Sequence, residues 1–128
     1  MEIIAIIEKG SDGLYSVRTE KVIGSMLPGG YGESVDIAKE DFRECVLDAL
    51  TESGIDKESI DIEYRYDLQS FFNYFDFFNA SKLAKSIGIN ESQMRQYKNG
   101  LAFPNENTTK KILDKVHSIG KELFAARL

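Results

Sequence analysis

One cysteine and one histidine are all that the sequence offers of the sulfur and nitrogen ligands that build zinc sites. Cys45 cannot form an internal disulfide, and with His117 it falls short of any zinc ligand set. A lone histidine also leaves a histidine general base without helpers. Long apolar runs are missing: no stretch reaches the roughly eighteen residues that a membrane span needs. The opening residues, MEIIAIIEKG, carry no basic region ahead of their apolar run and no cleavage-type site, so no signal peptide is expected. A reducing cytoplasm is then the expected compartment. The glycines at 29, 30 and 32 lack the Lys-Ser/Thr of a phosphate-binding loop. Neither an internal repeat nor a low-complexity segment occurs, and no cofactor is expected.

Basic residues are scarce in the first part of the chain. Residues 1–78 hold seven Lys/Arg against seventeen Asp/Glu, a balance of −10. Residues 79–128 hold nine against four, a balance of +5, and together they give the formal net charge of −5. An acidic half joined to a basic half implies two partners of opposite charge.

Hydropathy patterning divides the chain similarly. Residues 1–8 read as an Ile-rich strand, Gly10-Ser11-Asp12-Gly13 as a turn, and 14–20 as a second strand with Tyr15, Val17 and Thr19 on one face. Residues 22–27 predict a third strand, with Pro28-Gly29-Gly30 ending regular structure. Ser34 is the expected N-cap of a helix whose inner face carries Val35, Ala38, Phe42, Val46, Ala49 and Leu50, joined by Cys45 as inert core. Asp36, Glu40, Asp41, Glu44 and Asp48 fall on its other face, and Gly54 is a natural stop. Residues 60–66 alternate apolar with charged and predict a fourth strand. The expected fold is α+β: a β-β-β-α-β domain over 1–67 and an all-α domain over 68–128.

The stretch Ala80 to Asn99, ASKLAKSIGINESQMRQYKN, reads as a helix-turn-helix. Leu83, Ala84 and Ile87 lie on the inner face of a first helix. Gly88 supplies the turn, Ile89 plugs the corner, and Asn90 caps a second helix. Met94 and Tyr97 point back into the core. Ser92, Gln93, Arg95, Gln96 and Lys98 are left outward, residue types that read base edges or grip phosphates. Glu91 could accept from cytosine N4, or only complement the helix dipole. The plainer alternative is a helical bundle with a solvated polar face. A last helix over 108–124 turns Ile112, Leu113, Val116, Ile119 and Leu123 inward, and amides near Asn107 and Thr108 at its start are candidates to hold a phosphate. Before the motif, Phe71, Phe72, Tyr74, Phe75, Phe77 and Phe78 read as a short helix forming the joint and part of the helical core, some of them a candidate dimer contact.

From Leu83-Ala84 through Gly88-Ile89, Met94, Tyr97, Asn99-Gly100 and Pro104 to Lys111-Ile112, the second half resembles an Xre/Cro-type helix-turn-helix. The resemblance implies a second helix in the major groove, with Glu91, Ser92 and Gln96 facing bases and Gln93, Arg95 and Lys98 facing bases or phosphates. The hairpin and Gly32-Glu33-Ser34-Val35-Asp36-Ile37-Ala38 resemble HicB-type antitoxins, whose domain is a truncated ribonuclease H-like fold. That family implies an antitoxin of a type II toxin-antitoxin pair. Its acidic domain neutralises a small basic RNA-cleaving toxin, HicA, and its helix-turn-helix represses its own operon by binding operator DNA as a homodimer or higher homo-oligomer.

Catalysis is not expected. Asp61 and Glu63 share a face of the fourth strand, but the sequence sets no other acid beside them for two-metal chemistry. Two other readings stay open. One is a stand-alone transcription regulator whose N-terminal domain dimerises or binds another protein. The other is an interaction protein with a repurposed helix-turn-helix.

Overall fold

The computed structural model describes residues 1–56 and 60–128. Strand β1 (Glu2–Lys9) turns Ile3, Ala5 and Ile7 to one side, where all three are buried. The turn after it closes on Gly13, at φ 83°, with the Asp12 carboxylate accepting from the Leu14 amide at 3.0 Å. Strand β2 (Tyr15–Arg18) returns antiparallel to β1, and β3 (Gly29–Gly32) lies antiparallel to β2.

Helix α1 (Val35–Ser53) starts at Ser34, whose hydroxyl accepts from the Ile37 amide, and stops at Gly54 in the left-handed region. It carries the chain back to β4 (Asp61–Tyr66), which pairs parallel to β1 and completes a mixed sheet in the order β3-β2-β1-β4. The crossover is what a parallel neighbour requires. Ala38, Phe42, Val46, Ala49 and Leu50 of α1 pack on the inward residues of β1 and β2 as the first core. Cys45 is only half-buried, at the margin of this core rather than inside it.

The third strand is a correction. Residues 22–27 form no strand of the sheet: Ile23 and Met26 pair with each other across a tight turn, exchanging backbone hydrogen bonds of 2.8 and 3.0 Å. The strand falls instead on the glycines, because β3 runs against the backbone of α1. A Cβ on Gly30 would collide with the Ala38 carbonyl and lie 2.6 Å from the Phe42 nitrogen, and one on Gly32 would lie 2.5 Å from Ile37 Cγ2. Only glycine permits that approach.

Four helices follow: α2 (Leu68–Tyr74), α3 (Ala80–Ile87), α4 (Glu91–Lys98) and α5 (Glu106–Ala125). Leu68, Phe72, Ala80, Leu83, Ala84, Met94, Tyr97 and Ile112 form a second core, and Tyr66 packs against both cores. The Asp67 amide donates to the Ile7 carbonyl at 2.8 Å, the Lys9 amide to Ser70 Oγ at 3.0 Å, and the Tyr66 amide to the Pro104 carbonyl at 3.2 Å. Among the described residues, no helix is long and apolar enough to cross a membrane.

Two expectations about α5 need amending. The helix begins at Glu106 rather than Thr108, because Asn105 caps it by accepting from the Thr108 amide at 2.9 Å. Leu123 is not inward: it is 64% exposed, since α5 outruns the core it packs on at Ile112.

Candidate functional site

The side chains that hold α3 and α4 explain why one face of α4 is presented so firmly. Asn79 caps α3, its side chain accepting from the Lys82 amide at 3.0 Å. Leu83 and Ala84 face inward, and Ala84 is fully buried where the two helices meet. Gly88, at φ 73°, ends α3. The Ile89 amide reaches back to the Ala84 carbonyl at 3.0 Å, which closes the left-handed cap. Asn90 then caps α4 by accepting from both the Ser92 and Gln93 amides, at 2.8 and 3.2 Å.

Met94 is fully buried and Tyr97 nearly so, anchoring the inner side of α4. Burial of the methionine alone contributes about 2 kcal/mol to holding the helix in place. At the far end Gly100, again with positive φ, redirects the chain, and the Leu101 amide donates to the Gln96 carbonyl at 2.9 Å.

What remains outside is a row of exposed polar residues: Ser92, Arg95, Gln96 and Lys98. Among the described residues, none of their side chains has an internal hydrogen-bond or ion-pair partner. Glu91 and Gln93 are less free. Glu91 lies 3.6 Å from Lys85, which offsets its charge, and the Gln93 amide donates to the Tyr97 hydroxyl at 2.8 Å. Arg95 and Lys98 also sit in the last turn of α4, where cations complement the helix dipole whatever else they do.

Arg95 and Lys98 of α4, with its C-cap Asn99, line an open polar groove of about 460 Å³ together with Asn79 and Ser81 at the start of α3. Asn79 and Ser81 are absent from the sequence-derived set. The signal for the first was available: Asn79 stands one residue before an apolar-periodic run, the position of an N-cap.

Asn107 and Thr108, the other expected phosphate contacts, lie at the start of α5 and do not line this groove. The Thr108 amide is already bonded to the Asn105 cap. Asn107 lines a different groove, shared with Glu2, Asp61, Glu63 and Glu106, whose carboxylates would repel a phosphate. The same groove amends the view of the carboxylates, because β1–β4 pairing sets Glu2 directly beside Asp61. Among the described residues, no group of three or more His, Cys, Asp or Glu side chains is arranged to hold a metal ion.

The acidic half presents a second ordered surface. Asp36, Glu40, Glu44, Asp48 and Glu52 follow one another at four-residue spacing along α1, and all are exposed. Like charges at that spacing each cost a helix about 0.2–0.5 kcal/mol, so the stripe works against the stability of α1. Asp41, beside it, is held in the fold, because its carboxylate accepts from the Tyr31 amide at 2.9 Å and ties α1 to the edge strand β3. Nearby, Asp12 accepts from the Leu14 amide and from the Tyr31 hydroxyl at 2.7 Å, and these bonds hold its carboxyl below the usual carboxylate range.

Comparison with protein-family models, curated proteins and solved structures gave no match. Geometry and chemistry therefore carry the functional reading.

Proposed function

We propose that the chain is a DNA-binding antitoxin and autorepressor of the cytoplasm, with α3 and α4 acting as a helix-turn-helix on a truncated ribonuclease H-like partner-binding domain. The observation that carries the reading is the unpartnered row Ser92, Arg95, Gln96 and Lys98 on a helix braced from within by Met94 and Tyr97. Glutamine and arginine have the paired donors and acceptors that read adenine and guanine edges, while lysine and serine hold phosphates. Asn79 and Ser81 in the same groove add polar partners for a phosphate that Arg95 and Lys98 attract.

The acidic stripe on α1 supports the other half of the reading. A row of carboxylates that costs its own helix stability fits a surface kept for a basic partner, here a small RNA-cleaving toxin. Coulomb attraction would steer that encounter, and salt would weaken it.

Footprinting on the DNA upstream of the gene tests the repressor role. The expected result is a protected site made of two half-sites about one helical turn apart, the spacing that a two-fold pair of such motifs demands. Absence of protection would reject it. Co-purification with the product of an adjacent open reading frame of basic composition tests the antitoxin role separately.

A further inference from the structure

We propose that the joint between the sheet unit (β1–β4 with α1) and the helical unit (α2–α5) is a binding site for a small lipid-like molecule, an apolar chain that ends in a neutral hydroxyl head. The site is independent of the DNA-binding reading.

An unpaired hydroxyl marks its inner end. Thr109 of α5 is 1% exposed, and its Oγ1 is buried with no hydrogen-bond partner among the described residues. Buried hydroxyls are ordinarily bonded, because one left unpaired has given up its hydration for nothing. Thr109 lines a small chamber of about 50 Å³, closed in by Ile7, Leu68, Phe71 and Leu113. Where about 10–15 Å³ admits one water, this chamber admits a head group of a few atoms.

The chamber adjoins a much larger cleft of about 990 Å³, and Tyr15, Val35, Phe71 and Leu113 line both. Tyr15 and Val35 belong to the sheet unit, Phe71 and Leu113 to the helical unit. The cleft is otherwise walled mainly by apolar side chains, among them Phe75, Phe78, Val116, Ile119 and Leu123. Helix α5 carries the same order in its sequence. Thr109, Leu113, Val116, Gly120 and Leu123 follow at four- and three-residue spacing, so the hydroxyl and the apolar wall share one helix face. A concave apolar body of at most roughly 1,000 Å³ where two units meet, with a few polar groups fixing one end, is the anatomy of a small-molecule site.

Charge selects a neutral head. Asp67 lines the chamber, and its carboxylate repels an anion. Lys9 lines it too. Its ammonium donates to the Gly13 carbonyl at 2.9 Å, lies 4.3 Å from the centre of the Tyr15 ring, and repels a cation. A hydroxyl head carries neither charge, and it can both donate to and accept from the hydroxyl of Thr109.

Isothermal titration calorimetry of the full chain with 1-decanol, beside decanoate, tests the proposal. The expected result is saturable binding of one decanol per chain, with decanoate at least about tenfold weaker. Thr109→Val should weaken decanol binding at least about tenfold, yet leave the melting temperature of the free chain unchanged or raised, since no internal bond is lost. Leu123→Gln, at a side chain 64% exposed, should keep the fold and weaken decanol binding about threefold through lost apolar contact. Absence of saturable binding, equal affinity for decanoate, or decanol binding indifferent to both substitutions would overturn the proposal. A Thr109→Val chain that melts lower would also overturn it, by assigning the hydroxyl to folding. Because DNA is absent, none of these outcomes depends on operator recognition.

Discussion

Lys39 of α1 and Glu106 of α5 form an ion pair at 2.5 Å across 67 residues of sequence. The Lys39 amino group also lies over the Tyr64 ring, 4.4 Å from its centre. Burial alone would lower the lysine pKa. The bond to Glu106 and the neighbouring Tyr66 and Tyr64 outweigh that effect and raise it. This contact fastens the start of α5 to the sheet unit, and with it the helical core on which α4 is mounted.

Alkaline pH should loosen that joint. Lys39 is raised above 10.5, and Tyr66 above 10.0, the latter chiefly by burial and against the pull of Lys39. A group whose pKa folding raises contributes stability that is complete below its unfolded value and is lost as pH rises through its folded value. Both groups therefore favour the folded state up to about pH 10 and lose that contribution above it. Lys39→Gln should cost about 1 kcal/mol at neutral pH and flatten the alkaline decline, as read from thermal unfolding across pH.

The glycines of β3 should be unequal. Gly30→Ala drives a methyl into the α1 backbone and is expected to cost about 3 kcal/mol in denaturant unfolding. Gly29→Ala meets only the Val17 carbonyl, at 3.7 Å, and should be close to neutral. Equal effects would contradict the close packing of β3 on α1.

The same glycines mark where sequence patterning stops being informative. Gly29, Gly30 and Gly32 look like the end of regular structure because composition records turn propensity, whereas their role is set by a helix that returns to lie on them. The Gly88–Asn90 turn is legible because each residue there has one local role, a left-handed cap or a helix start, and the structure assigns those roles as expected. Three of the four strands and α1 are legible from periodicity, whereas the third strand is misplaced. The outward residues of α4 follow from the inward ones. That Gln93 is tied to Tyr97, and that Asn107 lies among acids, depends on partners no local pattern names.

Recognition and phosphate contact should separate on α4. Gln96→Ala is expected to weaken binding to the specific site while leaving random-sequence affinity alone. Lys98→Ala should weaken both alike and reduce the salt slope by about one. Titration of both variants on specific and random DNA checks this, and unchanged operator affinity in both would remove α4 as the reading face.

Neutralising the acidic stripe should trade partner binding for helix stability. Glu40→Gln with Glu44→Gln is expected to slow association with a basic partner and reduce its salt sensitivity. It should leave the melting temperature unchanged or slightly raised, since like-charge pairs at four-residue spacing are relieved. A falling melting temperature would assign these acids a structural role instead.

If the exposed face of α4 reads DNA, the purified chain should discriminate its own upstream DNA from random DNA. Affinity for both, measured across a salt series, decides the matter. Tight binding that prefers the upstream sequence and falls steeply as salt rises is expected, because phosphate contacts release counterions. Weak binding, or binding indifferent to sequence, would contradict a reading role for α4 and leave the acidic stripe on α1 as the surface to pursue.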